Sequence, residues 1–147
     1  MDFLGGTALN NKTNGFSLIE LLAVVAIVGI LALLALPNYQ SSVLKSHRSS
    51  AINGILDLAS REARYYTTNN NYSSSMLALG YSSDPMPVTD ANNYYYNLSV
   101  TLPSPTSFTL QAVPVGNQVN DTCGTYTYTD LGIKGVSKGT ISDCWKQ

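Results

Sequence analysis

The sequence has little charge and few of the residues from which active sites are built. Charged side chains make up 12% of its 147 residues, about half the usual share. It holds one histidine and two cysteines, and both cysteines lie late in the chain. We find no Ser/His/Asp order, paired carboxylates, phosphate-binding loop or metal motif. The sequence therefore argues against an enzyme, and it predicts neither a metal site nor a cofactor.

The net charge is also small, which limits the partners that charge alone attracts. The formal value of -1 at pH 7 creates no large field for nucleic acid or an anionic membrane. Serine, threonine and asparagine take the place of the missing charges, and such a surface suits exposure outside the cell. The length allows one domain with a modest core.

One apolar run interrupts this polar composition. Phe16 to Leu36 is 21 residues, and a helix of that length is about 31 Å long, close to the hydrocarbon thickness of a bilayer. A cleaved secretory signal would need an A-x-A site, which does not follow, although Lys12 supplies a weak positive charge before the run. A plain membrane anchor leaves Glu20 unexplained, because an ionisable residue within a membrane costs free energy and usually has a function.

Residues 15–40, GFSLIELLAVVAIVGILALLALPNYQ, resemble the N-terminus of type IV pilins and their pseudopilin relatives. The resemblance implies that a prepilin peptidase cuts after Gly15 and methylates Phe16, the new N-terminal residue. It implies that Glu20 pairs with the N-terminal amine of a neighbouring subunit, and that Pro37 kinks the long helix. Physical chemistry supports the pairing, because Glu20 lies in the first helical turn, four residues from Phe16, and a buried ion pair sets register.

The resemblance divides the chain into a leader, 1–15, a hydrophobic helix, 16–37, and a soluble head, 38–147. A start at Met1 gives a leader that is long for this family, and a start at Leu9 gives seven residues. The implied location is the inner membrane, crossed once, and then a pilus at the cell surface. The implied partners are other pilin subunits, the prepilin peptidase, the inner-membrane assembly machinery and, before assembly, membrane lipid.

Beyond residue 38 the helical pattern becomes amphipathic, which predicts one helix from Phe16 to about Tyr66. Its apolar stripe has spacings of four and three residues: Ile52, Leu56, Ala59, Ala63 and Tyr66, with Ile55 beside it. Glu62 and most other charges fall outside this stripe. His47 is expected on the solvated side.

Alternating segments later in the chain predict a sheet of about four antiparallel strands. They lie at 94–102, 107–115, 124–130 and 132–136, after a loop at 67–93. In the second segment Phe108, Leu110 and Ala112 are expected to point inward. Because a sheet must bury one face, we expect it to pack on the amphipathic half of the helix. The predicted fold class is α+β.

The two cysteines, Cys123 and Cys144, enclose 20 residues. In an exported protein they are expected to form a disulfide, which would add about 3 kcal/mol of stability. A similar C-terminal disulfide bounds the exposed loop of type IV pilins, and the resemblance here is to type IVa minor pilins rather than to secretion pseudopilins. Trp145 is expected to cover the edge of the sheet.

Three functions remain open at this point. The first is a structural pilus subunit, most like a minor pilin, that supports adhesion, twitching motility or DNA uptake. The second is a pilus-borne receptor for DNA or a surface, and the third is a type II secretion pseudopilin.

The candidate residues for a surface contact with DNA lie late in the chain: Lys134, Lys138, Lys146, Tyr126 and Tyr128. The tyrosines would offer rings for stacking. Residues 68–147 hold five acidic and three basic side chains, so their net charge is -2. Because phosphate binding depends on Lys and Arg contacts and weakens with salt, we expect DNA binding by the soluble head to be weak at physiological salt.

Overall fold

The computed structural model describes residues 15–90 and 93–146, which form one long helix followed by an antiparallel sheet. Helix α1 spans Leu18–Asn69. The five strands are β1 Met86–Asp90, β2 Asn93–Ser104, β3 Ser107–Pro114, β4 Tyr126–Thr129 and β5 Lys134–Val136. A 3₁₀ helix, Gly116–Asn120, follows β3, and a short helix α2, Ile141–Cys144, follows β5. The predicted α+β class is confirmed.

The chain divides into two compact units, Met1–Asn38 and Tyr39–Gln147. In the first, the side chains described from Gly15 to Ala35 are all exposed within the single chain. Helix α1 is long and apolar enough, by length and composition, to cross a membrane. An exposed apolar surface of this kind needs lipid or packed helices around it.

The sheet of the second unit is a meander in which consecutive strands pair in the order β1 to β5. Strand β1 was not predicted, because Pro87 and the polar residues before it are typical of a loop. Proline is tolerated here because β1 is an edge strand, where one side of the backbone needs no ladder bond. The predicted burial of Phe108, Leu110 and Ala112 is confirmed.

The core lies between one face of α1 and the inner face of the sheet. Ala51, Ile52, Ile55 and Leu58 are buried on the helix, and they belong to one cluster with buried residues of β2, β3 and β4. Gly54 allows a close approach at this interface, since a Cβ atom there would lie 2.9 Å from Leu98 Cδ1.

The face of α1 that is buried against the sheet differs from the predicted apolar stripe. Leu56 is 39% exposed and Ala63 is exposed, whereas Glu62 is fully buried. The face that meets the sheet runs through Ile55, Leu58 and Glu62, and the spacing of apolar residues alone favoured a neighbouring face. Glu62 is accommodated because its Oε2 accepts the backbone N–H of Ser73 at 3.1 Å.

The expectation for His47 was also wrong, because its ring is partly buried and stacks on Tyr95 with 3.5 Å between centroids. Its Nδ1 lies 3.0 Å from Gln118 Oε1. The Gln118 amide nitrogen donates to Leu44 O and to Tyr96 Oη. The Oε1 must therefore accept, which makes His47 Nδ1 the donor. His47 joins α1 to the 3₁₀ helix.

Glu62 should make the stability of the protein depend on pH. Its Oε1 has no hydrogen-bond partner among the described residues, and burial raises its pKa above the ordinary value of 4.5. The folded state therefore holds the proton more tightly, and this contribution to stability is lost as pH rises. Glu62→Gln should raise the free energy of unfolding at neutral pH, and the gain should vanish near pH 3. Urea denaturation of the full chain in detergent micelles, at neutral pH and near pH 3, measures the free energy of unfolding of the variant and of wild type.

Asp57→Asn is the control, because it should change the free energy of unfolding at neutral pH in the opposite direction. The hydrogen bond from Tyr81 lowers the pKa of Asp57, and Arg61 lowers it further. Its contribution to stability is present at neutral pH and is lost on acidification, so the variant should be less stable than wild type at neutral pH. A Glu62→Gln protein that unfolded more readily at neutral pH would contradict the account of Glu62.

Candidate functional site

The apolar end of α1 begins with a reciprocal pair of hydrogen bonds. Ser17 N–H donates to Glu20 Oε2 at 2.9 Å, and Glu20 N–H lies 3.4 Å from Ser17 Oγ. This is a capping box, which satisfies backbone donors that the helix leaves free. Ser17 was not identified from the sequence, although the Ser-x-x-Glu spacing before an apolar run is the pattern of a capping box. Glu20 thus has a partner within its own chain.

The residues on either side of the expected cleavage point are open to solvent. Phe16 is 88% exposed, and among the described residues beyond its chain neighbours none lies within 4 Å of a Cβ atom built on Gly15. Pro37 lies within α1, and its effect on the helix axis stays a prediction.

The disulfide between Cys123 and Cys144 is present, as predicted, with both residues buried. Gly139 allows the loop to close, because its φ is +66° and a Cβ atom there would lie 3.0 Å from Thr122 O. Trp145 covers the edge of the sheet as expected, since its Nε1 donates to Gly135 O of strand β5 at 3.1 Å. The C-terminal loop is therefore fixed at both ends.

Tyr126 cannot act as the stacking surface that the sequence suggested. It is fully buried on the inner face of β4, its ring meets Tyr96 edge to face, and its hydroxyl donates to Cys144 O. Burial raises its pKa well above the ordinary tyrosine value. Tyr128 is partly buried, with its ring 6.1 Å from that of Trp145. The predicted pair of exposed tyrosines is therefore reduced to one partly exposed ring.

The three candidate lysines are exposed but differ in their surroundings. Lys146 pairs with Asp143 at 3.2 Å on the surface. The Lys134 amine lies 5.2 Å from the ring centroid of Trp145, within the range of a cation–π contact. Within the part of the chain that the structure describes, neither Lys134 nor Lys138 has an ion-pair partner. Two cations of the loop therefore remain available to an anionic ligand.

A buried ion pair links the helix to the start of the disulfide loop. Arg48 Nη2 lies 2.8 Å from Asp121 Oδ2 and 3.0 Å from Thr122 Oγ1. The side chain of Asp121 is only 2% exposed, and its Oδ1 also accepts the backbone N–H of Cys123 at 2.8 Å. Asp121 is therefore neutralised within the fold. The sequence count that gave residues 68–147 a net charge of -2 treated it as a surface acid.

A second ion pair holds the loop that follows α1. Asp57 accepts from Arg61 Nε at 2.9 Å and from Tyr81 Oη at 2.6 Å, and the Arg61 guanidinium lies over the Tyr81 ring. Arg61 also donates to Leu79 O at 3.1 Å. These contacts use Arg61 to hold residues 79–81 against the helix, so it is not a free cation.

The features described so far define a class of protein. An apolar helix with an acid in its first turn, a sheet packed on the following helical half and a C-terminal disulfide are together the architecture of a type IV pilin. The chain belongs to the family described as type IV minor pilin ComP, DNA uptake sequence receptor, whose family model matches residues 37–127. The prokaryotic N-terminal methylation motif matches residues 10–36. No curated protein matches the chain.

These matches confirm that the chain is a type IV minor pilin, and they favour the pilus subunit over the secretion pseudopilin. The family match includes the 3₁₀ helix and Cys123 but ends before Lys134. The second half of the disulfide loop therefore has to be interpreted from its own geometry.

Proposed function

We propose that this minor pilin is a DNA receptor, which binds DNA at the cell surface during uptake. The observation that carries the proposal is the family match over residues 37–127, most of the head. The free lysines of the disulfide loop support it. The sequence alone placed the structural subunit first, and the receptor function is proposed in addition to it.

The electrostatics of the fold favour DNA more than the net charge indicated. Asp121 is buried against Arg48, which lies outside residues 68–147, so one of the five acids counted there is no longer a surface charge. Asp130 Oδ1 accepts the backbone N–H of Phe108 at 3.3 Å. Lys134 and Lys138 are exposed and have no ion-pair partner among the described residues, and phosphate contacts by such side chains supply much of the affinity for nucleic acid.

The path to the cell surface follows from the N-terminal motif. A prepilin peptidase cuts after Gly15 and methylates the new N-terminal amine of Phe16. The chain then crosses the inner membrane once through its apolar helix, and it enters the filament through contacts with other subunits. The assembly machinery of the inner membrane supplies the remaining partners.

Processing is tested by the intact mass of the protein recovered from sheared pili. We expect a mature chain of 132 residues, 16 to 147, with one methyl group on Phe16. The same mass should show that Cys123 and Cys144 form a disulfide, because the disulfide form lacks the two thiol hydrogen atoms. A mass that retained leader residues would contradict the cleavage after Gly15.

The receptor proposal is tested by the salt dependence of DNA binding. The full chain in detergent micelles is titrated into a fluorescent duplex selected from a random-sequence pool, at several salt concentrations. The double variant Lys134→Ala, Lys138→Ala should reduce the slope of log affinity against log salt by about 1.8, because each lysine that no longer neutralises a phosphate lowers the slope by about 0.9.

Lys146→Ala is the matched control for this experiment. Lys146 already pairs with Asp143, so its removal should change the slope less than the removal of either free lysine. A wild-type chain that did not bind the duplex would refute the receptor function. Binding with an unchanged slope in the double variant would place the phosphate contacts elsewhere on the head.

A further inference from the structure

The connection between β4 and β5 exposes two aliphatic side chains. We define the apolar hairpin tip as Leu131 and Ile133, which flank Gly132. Leu131 is 78% exposed and Ile133 is 60% exposed, and Leu131 is the most exposed large apolar side chain in the described part of Tyr39–Gln147. One exposed aliphatic residue needs no explanation. Two that flank one glycine at the end of a hairpin form a candidate contact surface for a partner.

The tip is held in place before any partner binds. Gly132 N–H donates to Thr129 O at 2.9 Å, and Thr129 N–H donates to Ile133 O at 3.1 Å. Gly132 has φ +75°, a conformation that other residues rarely adopt. Asp130 exchanges two hydrogen bonds with the backbone of buried Phe108. A preorganised tip loses little conformational entropy on binding.

The charges around the tip favour nucleic acid over an apolar partner. Lys134 follows Ile133 directly, and its amine is held over the Trp145 ring. The nearest acid in the sequence, Asp130, already accepts the N–H of Phe108. Aliphatic side chains beside a free cation match a ligand that combines phosphates with apolar base faces. Leucine and isoleucine act as wedges in this way in proteins that bind the minor groove, where they unstack a base step and kink the duplex.

We propose that the apolar hairpin tip inserts at a base step of duplex DNA and kinks it, while Lys134 contacts the adjacent phosphate. The inference rests on the receptor function proposed above, and it adds how the DNA is held. Pyrimidine–purine steps are the most easily unstacked. The apolar hairpin tip would therefore favour DNA that has such a step at the position where the tip inserts. Specificity would then arise partly from deformability, without a hydrogen bond to every base.

The bend of the DNA is the property that separates a wedge from an ordinary surface contact. The full chain in detergent micelles is mixed with the selected duplex, which carries a donor and an acceptor fluorophore at its ends. Wild type should increase energy transfer as the duplex kinks. The double variant Leu131→Ser, Ile133→Ser should abolish the increase and weaken binding by about tenfold or more, because two aliphatic side chains no longer pack against the bases.

Two controls distinguish the tip from its surroundings. Leu77→Ser removes an aliphatic side chain that is also 60% exposed but lies in the loop before β1, and it should leave the bend and the affinity unchanged. Lys134→Ala should weaken binding and lower the salt slope by about 0.9, while the saturated complex stays bent. Circular dichroism and the intact disulfide establish that each variant is folded.

The outcomes separate this inference from the receptor function. A wild-type chain that does not bind duplex DNA refutes the receptor, and the wedge with it. Binding without a bend, or a bend that persists in the double serine variant, refutes the wedge alone. A double variant that binds and bends DNA normally but is absent from pili would show that the tip contacts a neighbouring subunit instead.

Discussion

Replacing Glu20 by alanine should leave a chain that inserts into the membrane but is largely absent from purified pili. Insertion becomes easier because removal of the charge lowers the cost of entering the bilayer. If Glu20 pairs with a neighbouring subunit as predicted, assembly should fail, because the N-terminal amine of that subunit loses its carboxylate partner in a region without water, where an unpaired charge is costly. Immunoblots of sheared pili and of membranes measure the two pools separately.

Ser17→Ala is the control that separates capping from pairing. It removes the hydroxyl that faces Glu20 N–H but keeps both the carboxylate and the Ser17 backbone N–H that donates to it. Loss of a cap costs about 1 kcal/mol, so this variant should still enter pili. Normal incorporation of Glu20→Ala would contradict the pairing role, although the family assignment would stand.

Arg48→Ala should destabilise the head by about 3–5 kcal/mol, because it strands the buried carboxylate of Asp121. Asp121 would keep its bond from Cys123 N–H but lose the two guanidinium nitrogens that lie 2.8 to 3.2 Å from its oxygens. A destabilisation of this size is a large part of the stability of a small domain. Urea denaturation of the full chain in micelles, with the disulfide intact, measures it.

Lys146→Ala is the matched control, because Lys146 and its partner Asp143 both have exposed side chains. Exposed pairs contribute little in water, so this variant should unfold at the same urea concentration as wild type. If Arg48→Ala and Lys146→Ala unfolded alike, Asp121 would not depend on Arg48 in the folded protein.

The sequence predicted the elements whose signals are local. The sixteen apolar residues after Glu20 and the later amphipathic pattern predicted the long helix, and the alternation around Phe108 predicted β3. The disulfide was predicted from two cysteines and an exported location. Each of these depends on spacing along the chain, which a sequence shows directly.

The missed features depend on residues that are distant in the chain. Arg48 and Asp121 are separated by 73 residues, and His47 reaches Gln118 across 71. Glu62 was interpreted as a surface acid because the pattern of apolar residues cannot predict its hydrogen bond with the backbone of Ser73. Tyr126 appeared available for stacking because alternation does not say which face of a strand is buried.

The count of charge available to DNA has the same limit. A count of Lys, Arg, Asp and Glu gives every side chain equal weight, whereas the fold removes Asp121 from the surface and leaves Lys134 and Lys138 on it. The prediction of weak binding at physiological salt rested on that count.

Selection of duplexes from a random-sequence pool by the full-length chain, at about 150 mM salt, tests the receptor function most directly. If this minor pilin is a DNA receptor, successive rounds should enrich one short common sequence, and the enriched duplex should bind with submicromolar affinity. The prediction of weak binding from net charge would then be wrong. Failure to retain any duplex at this salt, or retention without enrichment of a common sequence, would contradict the assignment of this minor pilin as a DNA receptor.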